Sequence, residues 1–216
     1  IARWLAEAGV AVRVHDAAPG AAEAARAAIA RDLDAAATRG KVTRGGADAT
    51  LARLTVAEGL AALAGAELVI EAIVEALDAK RALLAALEPM VGDACVLATN
   101  TSSLGVGAIA AACVRPARVI GLHFFNPVHA MRVVEVIPGA RTDATVVARC
   151  RALVERTGHA AVTVRDTPGF LVNHAGRGYG TEALRLLHES VAPPHVVDAM
   201  LRGQAGFRLG PFELFD

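Results

Sequence analysis

Short apolar runs alternate with longer alanine-rich segments of helical period along most of this chain. The apolar runs predict strands at residues 10–16, 51–56, 67–73, 95–99, 118–125, 133–137 and 160–164. The alanine-rich segments between them predict helices at residues 19–39, 78–88, 106–112 and 143–156. Strands that are separated by helices form βαβ units, whose strands pair in parallel. The alternation therefore predicts an α/β fold with a doubly wound, mostly parallel sheet.

The alternation stops at the turn sequence Asp166-Thr167-Pro168-Gly169. Beyond it, residues 170–189 and 194–201 predict helices without strands between them. We therefore expect an α/β domain at residues 1–167 and an all-α second domain at residues 168–216. Only the first part of that helical domain is expected in this chain.

The composition excludes several classes of protein. Apolar residues make up 54% of the chain, and 22 basic residues balance 22 acidic ones. Such a chain can bury a core, which excludes an intrinsically disordered protein. Without a basic excess it is not expected to bind nucleic acid or a membrane surface, and no run of about 18 apolar residues would span a membrane. Cys95, Cys113 and Cys150 are widely spaced, which predicts reduced thiols, a cytoplasmic location and no metal site.

The first residues predict that the chain begins inside a helix. A dinucleotide-binding sheet has a glycine-rich turn after its first strand, and an acid about 20 residues later at the end of the second strand. Asp16 ends the VAVRVHD run and is such an acid, but the glycine-rich turn would then precede residue 1. Residues 1–8 become the second half of the first helix, with Gly9 as its stop. The alternative for Asp16 is an ordinary acid in a turn.

Two other glycine patterns match a phosphate-binding loop in spacing alone. The sequence GVGAIA at residues 105–110 fits G-x-G-x-x-A, but NTSSL separates it from the preceding strand, and no acid follows at the expected distance. Gly176, Gly178 and Gly180 lie inside a helical pattern. We expect neither pattern to bind a dinucleotide, and a second loop at 105–110 is kept only as the weaker alternative.

Polar residues interrupt apolar segments at four places. Residues 100–103 (NTSS) follow a strand at its carboxyl end, where open α/β sheets bind ligands. His123 lies late in a strand, Glu135 interrupts VVEVI, and Asn173 follows the turn TPGF. A buried carboxylate needs a partner, and His123 is available if the two strands are neighbours. The alternatives are structural: a helix N-cap at Ser103, a core histidine bound to backbone, and a capping role for Asn173.

These motifs resemble the 3-hydroxyacyl-CoA dehydrogenase family. The stretches that carry the resemblance are VIEAIVEALDAK, ATNTSSL, GLHFFNPVHAMRVVEVI, DTPGFLVN and GPFELFD. The match as a whole runs from about Val10 to the last residue. The NTSS and GLHFFNP blocks are its most specific parts. The stretch NHAGRGYGTEAL is most similar to the long form of the family, which acts on 3-hydroxyacyl- or 3-hydroxyadipyl-CoA.

The resemblance implies a Rossmann-like NAD-binding domain, a helical dimerisation domain and a set of site residues. His123 would be the general base for the 3-hydroxyl group, Glu135 would orient it, and Ser102 and Asn173 would hydrogen-bond the reacting oxygen. Asp16 would bind the adenine ribose. Glu75, Lys80 and Asn126 would surround the nicotinamide ribose. The other implied cofactor-binding residues are Ala72, Asn100 and Ser102. Arg39 or Lys41 would reach the coenzyme A phosphates, unless they are simply solvated.

The function that follows is NAD-dependent oxidation of (S)-3-hydroxyacyl-CoA, in fatty-acid or phenylacetate-type degradation, by a cytoplasmic homodimer. An imidazole titrates near neutral pH and suits a base for alcohol oxidation. NAD is favoured over NADP because no arginine directly follows Asp16. Two alternatives stay open: a related β-hydroxyacid dehydrogenase that acts on a free hydroxy or sugar acid, and a non-catalytic family member. The 216-residue chain alone is expected to bind NAD weakly and to be inactive.

Overall fold

A computed structural model describes residues 1–128 and 130–215 of the chain. They divide into two compact units, Ile1–Pro168 and Gly169–Asp216. The strands of the first unit are β1 (Val12–Val14), β2 (Leu54–Val56), β3 (Leu68–Glu71), β4 (Val96–Thr99), β5 (Val119–Phe124), β6 (Val133–Pro138) and β7 (Ala160–Thr163). Its helices are α1 (Ala2–Glu7), α2 (Ala21–Thr38), α3 (Arg44–Ala52), α4 (Leu77–Leu87), α5 (Val106–Ala110) and α6 (Ala144–Arg156), with short 3-10 helices at Leu60–Leu63 and Pro116–Arg118. The second unit contains α7 (Val172–His188) and α8 (Pro194–Ala205).

The strands form two hydrogen-bonded sheets. β1 pairs with β2, and the other five strands follow the order β3-β4-β5-β6-β7. Every pairing is parallel except that of β5 with β6, which is antiparallel. Only residues 125–132 connect these two strands, and a parallel pair needs a crossover of about a dozen residues or more. The mostly parallel sheet predicted from the alternation is confirmed, with this one reversal.

Helices cover both faces of the five-stranded sheet. Successive residues of a strand point to opposite faces, so neighbouring residues of one strand pack against different helices. Val96 and Ala98 of β4 belong to a core cluster that includes residues of α1 and α6. Cys95 and Leu97 belong to a second cluster, with residues of α4 and α5. The sheet is therefore doubly wound, as predicted.

Helix α3 is an α-helix that the sequence pattern does not predict. Gly45 and Gly46 lower the helix propensity of its first turn, and the pattern instead predicts a loop followed by a strand from residue 51. In the structure the Thr43 side chain caps the helix by accepting a hydrogen bond from Gly46 N at 3.0 Å. Ala47 and Thr50 are buried. Capping and burial outweigh the low propensity, and strand β2 starts only at residue 54.

The ends of two helices match their predicted stops. Gly9 follows α1 with a φ of 87°, and Gly40 follows α2 with a φ of 68°. Both angles lie in the left-handed region, which glycine adopts without steric penalty and which commonly ends a helix. The interpretation of residues 1–8 as helix is thus confirmed for the described part of the chain.

In the second unit, the residues after α8 pack back on α7. A Cβ at Gly180 would lie 2.8 Å from Phe215 Cζ, so a larger residue would displace that ring. The Tyr179 hydroxyl donates to Leu209 O at 2.9 Å, and its ring lies 4.7 Å from that of Phe207. Gly176, Gly178 and Gly180 all lie within α7, which confirms that they form no loop after a strand.

Candidate active site

A histidine and a glutamate face each other across the antiparallel pair of β5 and β6. His123 and Glu135 are direct register partners, and His123 Nδ1 lies 2.6 Å from Glu135 Oε2. Their side chains are 5% and 0% exposed. A carboxylate accepts and does not donate, so it favours the tautomer with the proton on Nδ1 and leaves Nε2 as the basic nitrogen. This is the geometry of a general base and its orienting carboxylate.

The pair lies at the edge of the sheet where an open α/β fold places its ligands. β3, β4 and β5 run parallel, so their carboxyl ends meet along one edge. Glu71 ends β3, Thr99 ends β4, and His123 is the next-to-last residue of β5. The predicted site residues that follow these three strand ends are Ala72, Glu75, Asn100, Ser102 and Asn126.

Glu75 closes the turn that carries Ser102. Its Oε1 accepts hydrogen bonds from Thr101 Oγ1 at 2.5 Å, Ser102 N at 2.8 Å, Ser103 N at 3.0 Å and Ser103 Oγ at 2.9 Å. Partial burial raises the pKa of Glu75, but these hydrogen bonds and the Lys80 ammonium lower it by more, to about 2. The carboxylate is therefore charged at neutral pH, and it holds the turn by accepting four hydrogen bonds from it.

Lys80 reaches from α4 into the interior and is only 1% exposed. Its Nζ lies 2.7 Å from Glu71 Oε1, 3.3 Å from Glu75 Oε2 and 3.3 Å from Ile73 O. An ammonium has three donors, and three acceptors surround this one. The resemblance gives Lys80 a place near the nicotinamide ribose, and the structure places its ammonium between Glu71 and Glu75.

Glu71 is a site residue that the sequence analysis missed. It is 3% exposed, and it also accepts from Thr99 Oγ1 and from Ile73 N, each at 2.7 Å. The signal was present, because an acid inside the apolar run ELVIEAI is the same pattern as Glu135 inside VVEVI. Buried acids of this kind need partners, and the side-chain partners of Glu71, Thr99 and Lys80, lie on β4 and α4.

Asn100 joins the end of β4 to the residue after His123. Its Oδ1 accepts a hydrogen bond from Phe124 N at 2.9 Å. Ala72 and Asn126 are exposed at the same edge of the sheet, and the Asn126–Pro127 peptide bond is cis. The structure thus places Asn100 as a support for the strand that carries the histidine.

Asp16 and Asn173 lie elsewhere in the chain. Asp16 follows β1, is exposed, and accepts a hydrogen bond from Ala18 N at 2.8 Å. This is the turn role that was the alternative for Asp16, although an exposed carboxylate has lone pairs for further hydroxyl donors. Asn173 lies in the first turn of α7, in the second unit, so its convergence with His123 stays a prediction.

The glycine pattern at residues 105–110 has a structural role. Asp166 accepts hydrogen bonds from Val106 N and Gly107 N, both at 2.7 Å, through its two carboxylate oxygens. The amides that a phosphate would contact are therefore bound by the protein's own carboxylate. This supports the expectation that α5 does not follow a phosphate loop, and it gives Asp166 of the DTPG turn a capping function that its sequence did not indicate.

The described residues show neither a metal-binding cluster nor a membrane-spanning helix. Across residues 1–128 and 130–215, no group of three or more histidine, cysteine, aspartate or glutamate side chains is placed to hold a metal ion. Within the same residues, no helix combines the length and the apolar character that are needed to cross a membrane.

Two family models together match nearly the whole chain. The family model described as "3-hydroxyacyl-CoA dehydrogenase, NAD binding domain" matches residues 1–167. The model described as "3-hydroxyacyl-CoA dehydrogenase, C-terminal domain" matches residues 169–216. The two matches meet within the DTPG turn, at Pro168.

Individual proteins are similar over most of the chain. The 3-hydroxyadipyl-CoA dehydrogenase of Escherichia coli K12 is 47% identical over 184 residues, which are 85% of this chain and 39% of that protein. A probable 3-hydroxybutyryl-CoA dehydrogenase of Bacillus subtilis is 38% identical over 216 residues, which are 100% of this chain and 75% of that protein. The crystal structure of an E. coli K12 3-hydroxybutyryl-CoA dehydrogenase superimposes with a TM-score of 0.96 at 44% identity, covering 99% of this chain and 45% of that one. The chain thus spans less than half the length of two of these relatives, and it belongs to the 3-hydroxyacyl-CoA dehydrogenase family.

Proposed function

We propose that the protein carrying this chain oxidises the 3-hydroxyl group of an (S)-3-hydroxyacyl-CoA to a 3-oxo group with NAD. The observation that carries the proposal is the buried His123–Glu135 pair at the carboxyl edge of the sheet. The names of the two relatives, a 3-hydroxyadipyl-CoA and a 3-hydroxybutyryl-CoA dehydrogenase, support the substrate class. Such a reaction belongs in fatty-acid or phenylacetate-type degradation, which is the proposed pathway.

His123 supplies the base. With Glu135 on Nδ1, Nε2 takes the proton of the 3-hydroxyl group as the alcohol is oxidised. The Glu135 carboxylate then stabilises the imidazolium that forms, as it does in other histidine–carboxylate pairs. Because both side chains are buried, this interaction acts at a low local dielectric and is stronger than it would be in water.

Two hydrogen-bond donors are proposed to assist His123. The Ser102 hydroxyl and the Asn173 amide keep the roles that the resemblance gives them, which are hydrogen bonds to the oxygen as it becomes a carbonyl. For Ser102, the support comes from Glu75, which holds the backbone of residues 102 and 103. A donor that is positioned in advance loses less entropy when the substrate binds.

The residues present fit NAD by the chemistry of their side chains. Asp16 is an exposed carboxylate, and the Glu75 side chain is 38% exposed; both can accept hydrogen bonds from ribose hydroxyls. A carboxylate at the ribose also disfavours a 2′-phosphate, which supports NAD over NADP. The chemistry that bound NAD would supply is that of a hydride acceptor for C3 of the substrate. Ala72, Asn100 and Asn126 follow the carboxyl ends of β3, β4 and β5, respectively.

We further propose a cytoplasmic homodimer. Cys95, Cys113 and Cys150 are buried free thiols, which fits a reducing compartment.

The dimer is proposed from the surface of the second unit. This unit exposes apolar side chains that a second copy would cover, and these are Leu184, Leu187, Val196 and Met200, at 41–65% exposure. Sedimentation velocity should give a dimer for the full-length protein and a monomer for Met200→Glu, and a wild-type monomer would contradict the dimer.

The reaction is tested by following NADH formation by the full-length protein. (S)-3-Hydroxybutyryl-CoA and 3-hydroxyadipyl-CoA are compared with free 3-hydroxybutyrate. Turnover of the thioesters alone is expected. Turnover of the free acid without a preference for the thioester would favour the β-hydroxyacid dehydrogenase alternative, and no turnover of any substrate would favour a non-catalytic family member. His123→Gln should abolish turnover and leave NAD affinity nearly intact, whereas full activity of that variant would rule out His123 as the base.

A further inference from the structure

A second buried ionic group lies at the carboxyl ends of β3 and β4, and the proposed reaction does not use it directly. It joins Glu71 at the end of β3, Thr99 at the end of β4 and Lys80 on α4, and all three side chains are at most 3% exposed. Glu71 receives the ammonium on Oε1 and the Thr99 hydroxyl on Oε2, each at 2.7 Å. A buried ion pair of this kind is weak evidence for stability, because the cost of desolvating it offsets much of the attraction.

The group connects to the exposed part of the site through one contact. Lys80 Nζ, held by Glu71, also lies 3.3 Å from Glu75 Oε2. The other oxygen of Glu75 receives the four donors of residues 101–103. The ammonium and the turn therefore bind opposite oxygens of the same carboxylate, so the position of one constrains the position of the other.

The division of the ammonium between two carboxylates depends on the charge of Glu71. If that charge is removed, Glu75 becomes the only carboxylate partner of a buried ammonium. Lys80 would then move toward Glu75 Oε2 and draw that carboxylate away from the donors of residues 101–103. The turn that carries Ser102 would lose part of its anchor.

We propose that Glu71 is a positioning residue for the reaction. Its buried charge holds Lys80, Lys80 holds Glu75, and Glu75 fixes the turn that presents Ser102 to the reacting oxygen. The inference rests on the proposed function and deepens it, because it assigns a role to a residue that touches neither substrate nor cofactor.

Glu71→Gln tests the proposal, because it keeps the size of the side chain and removes its charge. In the full-length protein with NAD and (S)-3-hydroxybutyryl-CoA, we expect kcat to fall about tenfold with little change in KM, since small displacements of a positioned donor act mainly in the transition state. Glu67→Gln is the matched control, because Glu67 is an exposed glutamate directly before β3, and its kcat should equal that of the wild type.

A double-mutant cycle separates positioning from general destabilisation. If Glu71 acts through Ser102, Glu71→Gln should lower kcat in the wild type but have little further effect in a Ser102→Ala background. A merely structural role would lower kcat by the same factor in both backgrounds. Equal factors would therefore overturn the proposal.

A second variant keeps the proposal testable if Glu71→Gln leaves the ammonium unpaired and does not fold. Glu71→Gln combined with Lys80→Met removes both charges and buries no unpaired ion. This variant should melt near the wild-type temperature and show a reduced kcat that Ser102→Ala lowers little further, which distinguishes lost positioning from a lost cofactor contact of Lys80. A folded variant with wild-type kcat would refute the role proposed for Glu71 and leave the proposed function standing. Absence of any turnover in the wild type would instead refute the proposed function, and the inference with it.

Discussion

The imidazole of His123 and the carboxylate of Glu135 meet across one antiparallel strand pair, with Nδ1 and Oε2 2.6 Å apart. β5 and β6 are the only two neighbouring strands of the five-stranded sheet that run in opposite directions. Because side chains alternate between the faces of a sheet, a slip of one residue in this register would put the two groups on opposite faces. The reversal of the chain at residues 125–132 therefore builds the candidate catalytic pair.

Glu135→Gln should separate the charge of this pair from its geometry. The amide keeps the shape of the side chain but cannot stabilise an imidazolium, and it can also favour the wrong tautomer of His123. We expect kcat to fall by about 10²- to 10⁴-fold in the NADH-formation assay. Glu58→Gln, at an exposed glutamate of the same unit, should match the wild type. A kcat for Glu135→Gln within about twofold of the wild type would argue against the assigned role.

Glu75 should make the stability of the fold sensitive to acid. Its pKa is lowered from 4.5 to about 2, so the folded state favours the charged form, and the resulting stability is complete above 4.5 and is lost as the pH falls toward 2. The melting temperature of the wild type should therefore exceed that of Glu75→Gln near neutral pH, and the difference should shrink through this window. A difference that stays constant with pH would contradict the assignment. Glu67→Gln should follow the wild type.

Asp166→Asn should destabilise the first unit. The carboxylate binds Val106 N and Gly107 N with its two oxygens, and an amide can offer only one acceptor oxygen to this pair. The loss should be about 0.5–2 kcal/mol, as for other helix caps, measured as the free energy of unfolding in urea. Asp48→Asn, at an exposed aspartate within α3, is the control, and equal stability of the two variants would argue against the capping role.

Gly121→Ala should disturb the strand that carries the histidine. A Cβ at this position would lie 2.8 Å from Val106 Cγ2 and 2.9 Å from Ile137 Cβ. Both neighbours belong to buried elements, so we expect a loss of about 1–3 kcal/mol in the free energy of unfolding. At Gly92 an added Cβ meets nothing within 4 Å, and Gly92→Ala should be nearly neutral. Similar stabilities for both variants would show that β5 can shift to make room.

The sequence pattern predicts elements well where a single periodicity covers them. The strand at residues 95–99 and the helix at residues 143–156 match β4 (Val96–Thr99) and α6 (Ala144–Arg156) closely, because each carries an unbroken apolar period. Helix α3 is not predicted, because its two glycines lower the local helix propensity. Its formation depends on a cap and on burial.

By itself, the sequence determined the order of strands and helices, the α/β class and the places where polar residues interrupt apolar runs. Those features are local, because each rests on the spacing of neighbouring residues. Only the tertiary structure decided that β5 and β6 are antiparallel, that Glu71 shares Lys80 with Glu75, and that Asp166 caps α5. These contacts join residues up to 60 positions apart. No local periodicity records such partners, since they are brought together only when the strands pair and the core excludes water.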